Sequence, residues 1–437
     1  MPAKVLIIDD EPGVLASIKD VLDDEGHETY GAATAVEGQK LFAQERPDVV
    51  FLDIWLPDRD GLEVLRSLLE EDAAASVVMI SGHGTVSTAV KAIKLGAFDY
   101  LEKPISYAQL VDSLDSALEH RRKSRRSKRS NGVAERPEVE SQLKPPPALP
   151  LCKRGRKHQR TLRRSTVIYG LGLHSGTRTG MVLQPLPPGS GLHFLTLPSE
   201  KIIAAHVSEV ADTDYATTLS REGEQIKTVE HLLSALHAYG ITNLLIKVHG
   251  EIPVLDGSAV EFCKVIEEAG IEGQRTPRME LVVDRVYEVG EGDKRFTLEP
   301  HDGFRISYQL NYPAPIGEQF YDFELDSPEA YKSEIAPART FGFMRDLKMM
   351  NELGLGSGGR LDNFILVGED NVINTELRFP DEFVRHKILD IIGDLYMIGF
   401  PIRGKVTASF TGHRDNIAIL RRICEIHGVD LSPAALG

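Results

Sequence analysis

The residues able to do chemistry fall into two groups, one near each end of the chain. In the first, the apolar run 5–8 ends at Asp9 and Asp10, the run 49–52 ends at Asp53, and 77–80 ends at Ser81. A short run at 99–101, which includes Tyr100, leads to Glu102, Lys103 and Pro104. Clustered carboxylates make the oxygen-rich site that Mg²⁺ prefers, with a phosphate tolerated among its ligands. A lysine opposite neutralises a transferred phosphoryl group, and a hydroxyl hydrogen-bonds it. In the second group, His386, Asp390 and Asp394 recur every four residues within FVRHKILDIIGDL, which puts them on one stripe of a mostly apolar helix. Such a helix has little reason to carry two acids and a histidine there unless they are ion-paired or bind metal.

Glu230 and His231 open another apolar stretch, with Thr228 as its expected N-cap. Two histidines and one carboxylate form the open three-ligand set of hydrolytic zinc sites, with water in the fourth position. Zinc lowers the pKa of that water to about 7, and a glutamate that is not a ligand can take its proton. Glu230 suits that role, although neighbours on a helix splay about 100° apart and reach one metal only near a helix end. On residue types alone, ion-paired core groups remain the open alternative.

The elements that position these groups are legible in outline. Residues 1–121 alternate apolar runs with amphipathic stripes such as Val14, Leu15, Ile18, Val21 and Leu22. That pattern indicates an α/β, doubly wound parallel sheet with its ligand site at the carboxyl ends of the strands. From 122 to 156 the pattern stops: a basic, Ser-containing and then Pro-rich segment (RRKSRRSKRSNG to LKPPPALP) is expected to be a flexible linker. Order returns at 157 as an α+β mixture, and the polar stretch EGQRTPRME (272–280) is the expected join between subdomains 157–279 and 280–437.

At 437 residues, with 42% of them hydrophobic, the chain has a prior of about three globular domains. Its apolar stretch at 388–402 is broken by Asp390 and Asp394, so no membrane span is expected, and the acidic start argues against a secretory signal. Three scattered cysteines without a CxxC pair argue against a disulfide framework or thiolate zinc site and fit a cytoplasmic location. The net charge of −15 hides a reversal. Residues 121–160 hold 14 Lys+Arg and 3 Asp+Glu, a net +11, while the remainder carries 36 basic and 62 acidic residues.

The marks IIDDE (7–11), FLDIWLPDRDG (51–61), MISGHG (79–84) and DYLEKP (99–104) resemble the receiver domain of two-component response regulators. The resemblance implies a five-stranded sheet, Asp53 as phosphoacceptor, and Asp9 with Asp10 as the Mg²⁺ group. It also implies Ser81 and Lys103 as the phosphate-sensing pair, Tyr100 as the aromatic switch, a cis Lys103–Pro104 bond and a cognate sensor histidine kinase. No P-loop follows the linker.

Instead, residues 158–434 resemble the zinc-dependent UDP-3-O-acyl-N-acetylglucosamine deacetylases of lipid A synthesis. The motifs are QRTL (159–162), GLGLHSG (170–176), TVEHLLSALHAYGITN (228–243), IPVLDGSA (252–259), ARTFGFMRD (338–346), GGRLDN (358–363), LRFPDEFVRHKILDIIGDLYMIG (377–399) and GH (412–413). The resemblance implies two similar α+β subdomains with helices sandwiched between two sheets. His231, His386 and Asp390 then resemble the zinc ligands, Glu230 the general base, and His413 the charged acid oriented by Asp394. Thr340 resembles the oxyanion donor, and Lys387, Phe341, Asp346 and His174 the substrate contacts. The implied reaction is hydrolysis of the N-acetyl amide of a UDP-sugar bearing an acyl chain, with loss of acetate. The segment 341–359 resembles the family's acyl-chain passage; an ordinary amphipathic helix is the alternative.

The fusion leads to the expectation that phosphorylation of Asp53 modulates the deacetylase. Competing readings are a phosphorelay scaffold with a regulatory rather than catalytic output domain, and a tether to an anionic surface. The +11 segment fits a peripheral location at an anionic membrane. Without interleaved aromatics or a recognition helix, specific DNA readout is not expected.

Overall fold

The N-terminal apolar runs and stripes form alternating strands and helices: β1 (Lys4–Ile8), α1 (Pro12–Asp24), β2 (Glu28–Ala32), α2 (Ala35–Glu45), β3 (Val49–Asp53), α3 (Gly61–Glu71), β4 (Ser76–Ser81), β5 (Asp99–Glu102) and α4 (Tyr107–Arg129). The computed structural model describes residues 2–72, 75–81, 91–93, 95–103, 105, 107–129, 143, 145–197, 199–352 and 355–431. It divides into two compact units, Met1–Glu138 and Val139–Gly437. In the first, the five strands pair in parallel in the order β2-β1-β3-β4-β5. Leu6, Val50 and Met79 pack on one face with Phe42 and Leu65, while Val5, Phe51 and Ile80 pack on the other with Ile18 and Leu114. Both faces are covered, which is why these strands read as unbroken apolar runs. Burying each such side chain stabilises the fold by roughly 1.5–3 kcal/mol.

The linker expected at 122–156 is corrected at both ends. α4 continues beyond 121 to Arg129, since Lys and Arg are good helix formers. Arg121 is buried and paired with Asp72 at 2.7 Å. At the other end, Leu143 packs with Leu186, Leu195 and Leu245, and Leu149 and Leu151 join the core of the second unit. The intervening prolines have fixed φ, so ordering them costs less backbone entropy. Residues 130–142 and Pro104, and with Pro104 the expected cis bond, lie outside the described residues.

The second unit begins with β6 (Cys152–Leu162), β7 (Thr166–Leu171), β8 (Arg178–Pro185), β9 (Leu192–Thr196) and β10 (Ile202–Ala204). A small sheet of β11 (Val210–Asp212), β12 (Thr218–Arg221) and β13 (Glu224–Ile226) precedes α5 (Glu230–Tyr239), β14 (Leu244–Val248) and α6 (Val260–Ala269). Then come β15 (Ile271–Val282), β16 (Tyr287–Val289), β17 (Arg295–Glu299), β18 (Phe304–Tyr312), β19 (Gly317–Glu324) and α7 (Pro328–Glu334). The chain continues through β20 (Phe341–Phe343), α8 (Leu347–Glu352), β21 (Ile365–Val367), α9 (Glu382–Tyr396), β22 (Ile402–Ser409) and α10 (His413–Ile426).

One sheet has the order β10-β9-β14-β8-β7; the other, built around β22, contains β16-β17-β22-β15-β6 with β18 and β19 branching from it. The polar stretch 272–280 is therefore not a join but part of β15, which pairs with β6 and β22. Its register shifts around Pro277, which has no N–H to give the ladder. Helix α6 packs on β7, α10 on β16 and β17, and α9 between α5 and strands β18 and β19. A Cβ on Gly393 would lie 2.0 Å from the Glu230 carbonyl oxygen. Glycine there is what lets α9 approach the first turn of α5.

Candidate functional site

The catalytic half is assembled around the start of α5. Thr228 is not its N-cap: Val229 holds that position without a side-chain cap. Thr228 instead sits at φ 61° and donates its hydroxyl to Glu251 Oε1 at 3.2 Å. A positive φ in a β-branched residue costs about 1–3 kcal/mol and persists only where its surroundings enforce it. Buried Glu251 does so, also accepting the His174 N–H at 2.8 Å and the Ser175 N–H at 2.9 Å. The sharp entry puts Glu230 and His231 in the first turn, where adjacent side chains reach a common centre.

His231, His386 and Asp390 are buried and bring one ligand atom each within 4.8 Å of one another. Asp390 Oδ1 lies 3.8 Å from His231 Nε2 and 3.5 Å from His386 Nε2, and it is buried without a hydrogen-bond partner. His386 Nδ1 donates to the Ala338 carbonyl at 3.0 Å, fixing the tautomer that leaves Nε2 free as a ligand. Burial pushes His231 down to about 3 and lowers His386, so both imidazoles are neutral. Burial acts to raise Asp390, but His386 and Lys387 outweigh it and hold the carboxyl below the usual range. Lys387 Nζ donates to Asp390 Oδ2 at 3.1 Å. Neutral nitrogens and a carboxylate oxygen around one point are a donor set suited to Zn²⁺.

Beside them, burial pushes the Glu230 carboxyl up to about 8. Its Oε2 accepts the Thr217 N–H at 3.1 Å, and the Thr217 hydroxyl donates to Asp394 Oδ1 at 2.7 Å. Asp394 Oδ2 accepts His413 Nδ1 at 2.7 Å and Asn416 Nδ2 at 2.8 Å. For His413, burial acts to lower the pKa, but the charge and hydrogen bond of Asp394 outweigh it and raise the imidazole to about 9. The site thus pairs a hydrogen-bonded carboxyl with an imidazolium that a buried acid keeps charged. Thr217, Asn416 and Glu251 were not singled out by sequence. Asn416 had a findable signal, since i+3 from His413 puts it on the same helix face; Thr217 and Glu251 had none locally.

The other expected contacts are placed unevenly. Phe341 meets His386 edge-on at 6.2 Å and Phe383 at 4.9 Å, with Lys387 Nζ 5.8 Å from its ring centre. Tyr312 and Phe343 extend that aromatic edge. His174 is buried with neither ring nitrogen hydrogen-bonded, and burial lowers its pKa. Thr340 gives its N–H to Gly257 at 2.8 Å, two residues beyond the carbonyl that anchors His386. Asp346 lies in the short turn Met344–Asp346, 3.9 Å from Arg345, and no described contact joins it to the ligand set.

In the N-terminal unit, Asp9, Asp10 and Asp53 also bring oxygens within 4.8 Å of one another. Lys103 Nζ reaches Asp9 Oδ2 at 2.8 Å and Asp53 Oδ2 and Glu11 Oε1 at 2.7 Å. Burial acts to lower Lys103, but these carboxylates raise it, so it is charged. Burial raises Asp9. Ser81 is buried at the end of β4, its carbonyl accepting the Lys103 N–H at 2.9 Å, and the buried Tyr100 hydroxyl has no hydrogen-bond partner among the described residues.

A buried carboxyl beside three convergent ligand atoms, with a braced imidazolium held by a buried acid, is an arrangement able to serve amide hydrolysis. Comparison with known proteins gives the same class of reaction. The UDP-3-O-acyl N-acetylglycosamine deacetylase profile matches residues 159–425, and the response regulator receiver domain profile matches 5–115. The chain is 44% identical over 271 residues to the UDP-3-O-acyl-N-acetylglucosamine deacetylase of Myxococcus xanthus (strain DK1622), covering 61% of this chain and 86% of that one. It is 41% identical over 269 residues to that of Anaeromyxobacter dehalogenans (strain 2CP-C), covering 61% and 87%. A receiver domain structure from Methanospirillum hungatei JF-1 shows 30% identity over 28% of this chain and 98% of its own, with a TM-score of 0.28. The chain belongs to the UDP-3-O-acyl N-acetylglycosamine deacetylase family. It is an enzyme of that deacetylase type, with a receiver domain at its N-terminal end.

Proposed function

We propose that residues 157–437 hydrolyse the N-acetyl amide of UDP-3-O-acyl-N-acetylglucosamine, release acetate and depend on zinc. The observation that carries this is the unpartnered, buried Asp390 Oδ1 facing two histidine Nε2 atoms. His231, His386 and Asp390 would hold the zinc, which would supply Lewis acidity at this point. Glu230 takes the proton of the attacking water. His413 faces the developing negative charge as an imidazolium and protonates the leaving nitrogen, while Asp394 fixes its orientation. The Thr340 hydroxyl donates to the oxyanion, and Lys387, Phe341, Asp346 and His174 contact substrate. The aromatic edge of Phe341, Phe343 and Tyr312 suits an acyl chain.

In residues 1–121, Asp9, Asp10 and Asp53 would hold Mg²⁺, a sensor histidine kinase phosphorylates Asp53, and Ser81, Lys103 and Tyr100 register the phosphoryl group, which modulates the deacetylase. The acyl-bearing substrate and the basic segment support a cytoplasmic, membrane-peripheral location. In the deciding assay, the full chain is stripped of metal and titrated with zinc while acetate release is followed. Activity should return at one zinc per chain, and activity that survives complete stripping overturns the reading. Phosphorylated and unphosphorylated chains with equal rates, oligomeric state and half-life would remove the regulatory part.

A further inference from the structure

Neither site uses the basic residues at the end of the +11 segment. Arg154, Arg156, Lys157 and Arg160 follow one another along β6 and line a cavity of about 470 Å³. Arg278 from β15 and Arg403 from β22 line it too, against only three acids, Glu280, Asp302 and Asp326. Two of these acids are taken: Arg278 pairs with Glu280 at 2.6 Å, and Arg403 pairs with Asp302. A Cβ at position 155 would lie 2.6 Å from the Glu280 carboxyl carbon. Gly155 therefore lets that acid lie flat against β6.

What remains is donor capacity without acceptors. Arg154, Arg156 and Lys157 are exposed and have no ion pair among the described residues. Arg160 gives one hydrogen bond, to the Tyr239 carbonyl at 3.1 Å, of the five a guanidinium can make. Arg278 Nε is buried with no partner at all. Capping of the α5 carbonyls accounts for Arg160 alone. Crowding cations on one strand is unfavourable unless an anion joins them, and the volume is that of a small-ligand site. The cavity lies at Tyr239 and Gly240, the far end of α5 from Glu230. At 1.5 Å per residue, that helix separates the two sites by about 14 Å.

We propose that this cavity binds a phosphate or diphosphate group, either free or carried on a lipid headgroup. Calorimetry on the zinc-loaded full chain, with inorganic diphosphate as probe and no added Mg²⁺, should show saturable binding that weakens with salt. The triple variant R154A/R156A/K157A alters three exposed side chains remote from the metal ligands. Its deacetylase kcat/KM should be unchanged, while its diphosphate affinity falls about tenfold or more, or at least 1.4 kcal/mol. Sedimentation with phosphatidylglycerol vesicles, against phosphatidylcholine alone, separates the two sources. Vesicle binding that diphosphate competes away assigns the headgroup, and diphosphate binding without vesicle binding assigns a free ligand. Absent or equal diphosphate binding in wild type and variant, or vesicle binding indifferent to diphosphate, overturns the site.

Discussion

Replacing Asp394 with asparagine keeps the size of the side chain and removes one buried charge. In the native site His413 rises to about 9 because Asp394, with further help from Asp390 and Glu230, outweighs burial. With a neutral amide the largest opposing effect is gone, and the imidazole should fall toward its ordinary value of 6.5. That change is about two pH units, or about 3 kcal/mol at 1.36 kcal/mol per unit. The sign follows from the role. If the imidazolium is the active acid, wild-type activity falls as pH rises through about 9, while the acidic limb belongs to Glu230, which acts as a base only above about 8. In Asp394→Asn the basic limb should move down toward 6.5. At pH 7.5 the charged fraction drops from about 97% toward about 10%, a loss approaching tenfold before any misorientation is counted. The assay is kcat/KM for acetate release from pH 5.5 to 10 at saturating zinc, with thermal unfolding as a check on the fold. A variant whose basic limb stays near 9, or whose loss is the same at every pH, would refute the assignment of His413 as the acid.

Three further outcomes are expected. His386→Ala should lower zinc affinity by more than the roughly 100-fold typical of an outer partner, read by metal analysis after dialysis against buffered zinc; one retained zinc per chain would remove His386 from the ligand set. Asp53→Asn should take up no phosphoryl group from a small phosphodonor, by intact mass, where the wild-type chain gains one; equal uptake would place the phosphoacceptor elsewhere. Gly393→Ala puts a Cβ 2.0 Å from the Glu230 carbonyl oxygen and should destabilise the C-terminal unit by about 1–3 kcal/mol while lowering kcat. A variant as stable and active as wild type would show that the helix crossing is looser than this contact implies.

The receiver fold was legible because strands covered on both faces leave continuous apolar runs, and because its acids sit directly at their ends. The helical stripe of His386, Asp390 and Asp394 was legible for a similar reason: a four-residue spacing on an apolar helix is a local signal. What was hidden is tertiary. Thr217 joins Glu230 to Asp394 across a long sequence separation, and nothing in DYATTL distinguishes a hydroxyl that bridges two buried acids from one in an ordinary strand. Thr228 reads as an N-cap because Thr before Glu and an apolar stretch usually is one; its hydroxyl goes instead to Glu251. The stretch 272–280 reads as a join because its residues are polar, yet in β15 most of them are partly or fully exposed and only Gln274 and Glu280 are buried. Exposure and lack of structure give the same composition. The Pro-rich segment shows the same error, since its anchors Leu143, Leu149 and Leu151 are too few and unevenly spaced to stand out against the prolines.

The ligand set has a consequence for stability as well as for catalysis. Lys387 compensates one oxygen of Asp390, and Asp394 compensates His413. Asp390 Oδ1 and the two Nε2 atoms are left facing one point, and the His386 Nε2 is an acceptor because its Nδ1 donates to Ala338. Desolvating such groups costs several kcal/mol unless a cation joins them. The unfolded chain holds no such arrangement, so zinc bound at this site would favour the native state and act as a folding ligand. At free zinc a thousand times the dissociation constant, the gain is about 4 kcal/mol. With roughly 2–4 °C per kcal/mol for a large domain, chelation should lower the unfolding temperature of the C-terminal unit by about 10 °C. The unfolding of the N-terminal unit should not respond to the same loss, because its oxygen ligands favour Mg²⁺. In His386→Ala the chelator should add little, since the variant has already lost the ion. If the native C-terminal transition stays in place after chelation, the three ligand atoms do not hold a cation, and the zinc mechanism fails with them.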